Sequence, residues 1–329
     1  PVPAWTVQRH SSGLACEELI FPGQAGQGGQ AQTADNTHTV IILHGLLGRG
    51  RNWRSFAKHL GEGACKDTGH TWRILLADLR CHGNSTDKDL HPPHNLQSAA
   101  HDITQLIRAK LGGRAPLAIC GHSLGGKVLL AYLNQLLPHR STQSPHDAAS
   151  LTPAQAWVLD SQPGLVTSTL DHRNGVSKVL SVVHEIPLPV PSRAWLLDHL
   201  KLQGFDTATS QWLGSNLVPK DGKLGWSFDI PGTANLYKSY MASDFMPVVE
   251  HPPPGVQLHL VQGGKSDRWS VQITSKLNQI AAQSGGAFQV HSLPKAGHWL
   301  HVDDPTGLMA IMLPRLCAAA TQPTSTAAQ

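Results

Sequence analysis

The sequence predicts an α/β architecture: a mostly parallel central sheet flanked by helices, with a helical lid inserted before the last strands. Three observations carry that reading. Apolar, β-rich runs alternate with longer stretches whose apolar residues recur near the helical period. Most of the strand-like runs end in clusters of Gly, His, Ser or Asp, at the carboxyl ends where open parallel sheets bind ligands. From about residue 162 to 248 the rhythm lapses into Pro-broken, Trp-containing helical pieces (IPLPVPSRAWLLDHL, TSQWLGSNL, NLYKSYM) before it resumes.

In chain order the expected strands are residues 5–9, 14–21, 39–43, 73–78, 117–120, 156–159, 256–261 and 288–292. Helices are expected at 53–60, 96–111, 125–137, 271–283 and 306–317. Residues 23–34 and 140–153 are too polar to pack and read as surface loops or disorder. The expected organisation is a core over 1–161, a helical cap over 162–248, the rest of the core over 249–320 and a disordered tail from 321 to 329.

The 329 residues exceed a typical single domain, but α/β folds hold such lengths around one core with an excursion. With 40% hydrophobic and 15% charged residues the chain reads as globular, and no apolar run reaches membrane-spanning length. The net charge of +4 is diffuse, without a Lys/Arg block, so no nucleic-acid partner is expected. Cys16, Cys65, Cys81, Cys120 and Cys317 form no C-x-x-C pair and suit a reducing compartment. The first residue is Pro1, so a leader or boundary is expected upstream, and these residues do not reveal the compartment.

The central chemical signal is Gly121-His122-Ser123-Leu124-Gly125, with an apolar run before it and a helix-forming run after it. A nucleophilic Ser needs a sharp strand-to-helix turn, which small flanking residues permit, and gains from the following helix N-terminus. Its hydroxyl also needs a base, and His suits that task near neutral pH. His298, in Ala296-Gly297-His298-Trp299 beyond the last expected strand, is the choice, with His301 its local competitor. The carboxylate that orients the His has two candidates. Asp267, in Gly263-Gly264-Lys265-Ser266-Asp267-Arg268, is preferred over Asp160, in Val158-Leu159-Asp160-Ser161. Both preserve the order Ser, Asp, His. The bland alternatives are a salt bridge from Asp267 to Arg268 and a helix cap by Asp160.

Backbone N–H groups of Leu124 and of Leu46, in His44-Gly45-Leu46-Leu47-Gly48, are expected to face the oxyanion of a tetrahedral intermediate. That Gly-rich turn lacks the G-K-[ST] of a phosphate loop and the G-x-G-x-x-G of a dinucleotide site. Residues 78–85 place Arg80 or His82 near the site, with turn stabilisation favoured over catalysis, and Cys120 reads as packing. His91 and His94 lack a matching acidic set, so neither metal nor cofactor is expected.

The pieces HGLLGRGRNW, ADLRCHGNS, GHSLGGKV, WVLDSQPG, SDRW and AGHWLHVDDP span residues 44–305. Together they resemble the α/β-hydrolase superfamily and, within it, the abhydrolase-domain esterases of bacteria, mitochondria and plant plastids. The resemblance implies the α/β-hydrolase fold, acyl-ester cleavage by a Ser-His-Asp triad, and a small acyl-ester or lipid-like substrate. It also implies a plastid or mitochondrial home, because LPVPSRAWLLDHL is similar to the lid of plant and algal members. Some bacterial relatives use the Asp of the VLD-type motif and have none at the place of Asp267. Trp195, Leu196, Trp212 and Phe245 would suit an acyl chain or ordinary packing, and His44 and His122 complete the expected substrate contacts. Thioester, amide or acyl-transfer chemistry with the same triad, or ligand binding without turnover, are the alternatives. Ser123 argues against dehalogenases and epoxide hydrolases, which place Asp at the nucleophile position.

Overall fold

A computed structural model describes residues 13–23, 36–137, 150–167 and 175–322. The main sheet contains β1 (Cys16–Phe21), β2 (Thr37–Leu43), β3 (Thr71–Ala77), β4 (Ala118–His122), β5 (Gln155–Leu159), β8 (Gln257–Gly263) and β9 (Phe288–Leu293). Its order is β1-β3-β2-β4-β5-β8-β9, with β1 antiparallel to β3 and the other pairings parallel. The inner strands β4 and β5 are buried at every residue, which is why they read as short apolar runs and not as alternating patterns.

The two-residue period nevertheless divides the core. Ile41 and Leu43 of β2 face a layer with Ile103 of α2 (Leu96–Leu111) and Val128 of α3 (Leu124–Leu136). Val40 and Ile42 face the opposite layer, with Phe56 of α1 (Arg54–Thr68) and Leu308 and Met312 of the last helix, Pro305–Thr321. Helix α2 starts on Asn95, whose side chain accepts from the Ser98 N–H, and stops at Gly112 with φ of 61°. The strand ends after β2, β4, β5, β8 and β9 therefore gather at one rim.

Between β5 and β8 lies an insert with helices Val176–Glu185, Arg193–Leu202, Thr207–Gly214, Ile230–Ala242 and Met246–Glu250. It also holds a hairpin, β6 (Leu217–Lys220) and β7 (Lys223–Trp226), where only helix was expected. Asp221 and Gly222, with φ of 51° and 76°, make its two-residue turn, the local Asp-Gly signal that the Trp-rich helical pattern obscured. Leu196, Leu200, Leu213, Trp226 and Phe228 form a separate apolar cluster that also takes in Leu47 of the core.

The expected strands and helices of the core match observed elements to within a few residues, except that the helix expected at 53–60 runs on to Thr68. The expected strand at 5–9 lies outside the described residues, as do most of 23–34 and 140–153 and the tail beyond Gln322. Thr321, assigned to that tail, is instead the last residue of a helix. Among the described residues no helix is long and apolar enough to cross a membrane.

Candidate active site

Strand β4 ends at His122 and α3 begins at Leu124, so Ser123 alone makes the turn between them. It sits at φ 52° and ψ −115°, a conformation that costs a residue with a side chain about 1–3 kcal/mol. The surroundings enforce it. A Cβ at position 121 would collide with the Gly125 carbonyl, and one at position 125 with the carbonyls of Leu43 and His44. The Ser123 N–H donates to the Leu159 carbonyl at 3.0 Å, which ties the turn to β5. Only small residues fit on either side, and the side chain of Ser123 is left partly exposed at the rim.

One residue beyond β5, Asp160 is fully buried. Its Oδ1 accepts from the Gly263 N–H at 2.9 Å and the Trp269 Nε1–H at 2.6 Å. Its Oδ2 accepts from the Ser266 hydroxyl at 2.6 Å and from His298 Nδ1 at 2.7 Å. Burial pushes the Asp160 carboxyl up; the hydrogen bonds from Ser266, Gly263 and Trp269 oppose it. Four converging donors fit an ionised carboxylate. Burial, then the nearby Arg268 charge, holds His298 well below the usual imidazole range, so it is a neutral base at neutral pH. With Nδ1 donating to Asp160, Nε2 is the nitrogen left basic. The His298 carbonyl accepts from His122 Nε2 at 2.8 Å, and burial brings His122 down to about 3, so it too is neutral.

Two further buried imidazoles brace the turn after β2. His44 donates from Nδ1 to the Gly45 carbonyl at 2.7 Å and accepts from the Leu79 N–H at Nε2, at 3.0 Å. His82 donates from Nδ1 to the Arg80 carbonyl at 2.8 Å and accepts from the Leu47 N–H at 3.0 Å. Each needs one protonated and one bare nitrogen, and burial enforces that by lowering His44 to about 4 and His82 to about 3. These braces hold Leu47 at φ 55° and so fix the backbone on both sides of Leu46. Among the described residues, neither the Leu46 nor the Leu124 N–H has a backbone partner.

Ser123 and His298 share a cleft of about 630 Å³, whose walls include Leu46, Val179, Trp212 and Trp299. A small chamber of about 30 Å³ also touches Ser123 and is walled by Tyr237, Tyr240, Gln162 and Arg268.

The alpha/beta hydrolase family model matches residues 40–311. The chain belongs to that family. Among curated members of the hydrolase family, the sn-1-specific diacylglycerol lipase ABHD11 of Mus musculus is 27% identical over 275 residues, covering 82% of this chain and 78% of its own. Esterase YbfF of Escherichia coli (strain K12) is 24% identical over 289 residues, covering 85% of this chain and 94% of its own. Among solved structures, a marine microorganism esterase superposes with a TM-score of 0.68 at 22% identity, over 92% of this chain and 99% of its own, and supports the fold.

For this hydrolase, the geometry pairs His298 with Asp160 and not with the preferred Asp267. The Asp267 side chain is 46% exposed and pairs with Arg268 Nη1 at 3.1 Å, the salt bridge that the sequence offered as its bland reading. His301 stacks on Trp53 with ring centroids 3.7 Å apart and lines the cleft beside His298, but the carboxylate bond is made by His298. Of the expected substrate contacts, His44, His122 and Trp212 line the cleft. Phe245 is buried in the main core, and Trp195 stacks on His199 in the insert; neither lines the cleft. Arg80 forms a buried fork with Asp102 at 2.7 and 3.0 Å, a structural role. Cys120 is buried within β4, and burial raises its thiol above the usual range, so it packs.

Three residues with a hand in the site escaped the sequence. Ser266 and Trp269 hold Asp160, whereas His82, read from the sequence as turn-stabilising, does brace the turn after β2. Lys127, fully buried one turn into α3, donates to the carbonyls of Gly164, Tyr240 and Ser243 at 2.7, 2.6 and 3.0 Å, tying both ends of the insert to α3. A Lys inside an otherwise apolar helix start, GGKVLL, was the available signal for the last. Cys81, His94 and Asp229 also come within 4.8 Å of one another, a grouping with metal-ligand chemistry that the sequence did not suggest. Burial raises the Cys81 thiol to about 12, Asp229 accepts from the Gly232 N–H at 3.0 Å, and the buried Nδ1 of His94 has no hydrogen-bond partner among the described residues.

Proposed function

We propose that this chain is a serine hydrolase that cleaves acyl esters, with Ser123 as nucleophile, His298 as general base and acid, and Asp160 as the carboxylate that orients His298. The observation that carries the reading is the buried 2.7 Å hydrogen bond from His298 Nδ1 to Asp160 Oδ2, at the rim where the strained Ser123 turn lies. It fixes the tautomer with Nε2 bare. That nitrogen takes the Ser123 proton as Oγ attacks the ester carbonyl, and the imidazolium formed is stabilised by the adjacent carboxylate. The N–H groups of Leu46 and Leu124 receive the oxyanion, a contribution of about 3–4 kcal/mol per donor in comparable sites. Collapse of the tetrahedral intermediate expels the alcohol, which takes the proton from His298. Water then repeats the sequence on the acyl-enzyme and regenerates Ser123.

The named relatives support this reading, since one is a lipase and the other an esterase. The cleft is the proposed site of a small acyl-ester or lipid-like substrate, with Trp212 and Trp299 as its apolar wall. The test is hydrolysis of p-nitrophenyl esters from acetate to palmitate by wild type, Ser123→Ala and His298→Ala. Loss of about a thousandfold or more in kcat in both variants is expected. Full activity in Ser123→Ala would end the proposal.

A further inference from the structure

Arg268 is the one charged residue among the described walls of the chamber beside Ser123, and it also borders the larger cleft. Its side chain is only 12% exposed. Among the described residues its guanidinium has a one-point pairing, Nη1 to Asp267 Oδ1 at 3.1 Å, with a carboxylate that is itself half-exposed. A guanidinium presents a fork suited to two parallel hydrogen bonds, and here the fork is half used. Its main chain is held independently, because the Gln162 side chain donates to the Arg268 carbonyl. The neighbouring Trp269 is anchored on Asp160 at 2.6 Å. The cation is therefore seated in a fixed loop at the reacting centre, facing walls of Leu46, Val166, Val176, Tyr237 and Tyr240.

A neutral ester offers that cation no ionic partner, and the guanidinium then serves only its neighbour Asp160, whose carboxylate form it favours. Against that it slows proton uptake by His298, and its own burial is met only by the one-point pairing with half-exposed Asp267. Resting on the serine-hydrolase reading above, we propose that Arg268 is a specificity-determining residue that selects esters carrying a carboxylate or phosphate close to the scissile carbonyl. The substrate anion completes the guanidinium fork and displaces the loose Asp267 contact. No change in the chemical steps is needed: the anion is a spectator that orients the ester over Ser123, and its removal from water is offset by a charge-assisted pair.

Matched substrates provide the test. For an anion on the acyl side, p-nitrophenyl hemiglutarate is compared with p-nitrophenyl valerate; for one on the alcohol side, 4-carboxyphenyl butyrate is compared with 4-carbamoylphenyl butyrate. The account expects kcat/KM to favour the anionic member of at least one pair by about tenfold or more, and the pair that responds locates the anion. In Arg268→Gln that ratio falls toward one, whatever the absolute rate, and Arg268→Lys restores part of it. Asp267→Asn leaves the guanidinium in place and raises the ratio by removing its competitor. A wild-type ratio near one in both pairs, or a ratio that survives Arg268→Gln, would overturn the inference. Hydrolysis of the neutral esters that depends on Ser123 shows that the hydrolase reading stands even then.

Discussion

Two loops at the same rim each present an aspartate, and they differ in almost everything else. The loop after β5 buries Asp160 completely and aims four donors at it. The loop after β8 leaves Asp267 half-exposed with a single Arg partner. Moreover, the second loop serves the first, since Ser266 and Trp269 flank Asp267 and Arg268 in sequence and both donate to Asp160. The lesson is that position at a strand end does not decide which carboxylate meets His298. What does is a pocket whose donors fix the carboxylate's direction, because an exposed carboxylate has no fixed direction and its interactions are weakened by solvent.

Exchanging the two acids for amides gives the largest expected effect. Asp160→Asn should lower kcat/KM for p-nitrophenyl butyrate by about a thousandfold or more, since an amide can present its NH₂ to His298 and favour the wrong tautomer. A loss of only a few-fold would break the comparison. Next, Trp269→Phe removes the 2.6 Å donor to Asp160 Oδ1 but keeps an aromatic ring. It should lower kcat by about tenfold with little change in KM, because the carboxylate is then less firmly oriented.

The buried side of the rim also predicts acid lability. Burial holds His44 at about 4 and His82 at about 3 in the folded chain, against 6.5 when unfolded. Above pH 6.5 both states leave these rings neutral. Below it the unfolded chain takes up protons that the folded chain refuses, so stability falls as pH drops from 6.5 toward 4, by on the order of 3 kcal/mol for His44 alone. Urea unfolding at pH 7 and pH 5 measures it, and equal midpoints would contradict it. The smallest effect is on the exposed side. Arg268→Gln removes a cation that helps hold His298 low, so the acid limb of kcat/KM should move to higher pH, read on a neutral ester. An unchanged or downward limb would count against that electrostatic coupling.

Much of the architecture was legible because its causes are local. Apolar runs at 39–43, 117–120 and 156–159 are strands that the sheet buries on both faces, and the Gly at 121 reflects a collision with the Gly125 carbonyl within the same turn. His298 was legible for the same reason, as a His in a short loop after the last strand. The acid was not. Choosing between Asp160 and Asp267 depends on which one Gly263, Ser266, Trp269 and His298 surround, and those donors lie more than a hundred residues from Asp160 in the chain. The β6–β7 hairpin was missed because its Asp-Gly turn stands among Trp- and Leu-rich pieces that read as helix. Lys127 was missed because its three carbonyl partners come from the two ends of the insert.

The most direct measurement is the rate at which an active-site-directed fluorophosphonate labels the chain, followed by intact mass in wild type, Asp160→Asn and Asp267→Asn. The account predicts a single adduct on Ser123, formed on the order of a thousandfold more slowly in Asp160→Asn and within tenfold of wild type in Asp267→Asn. The reverse order of the two variants, or an adduct on any residue other than Ser123, would contradict it.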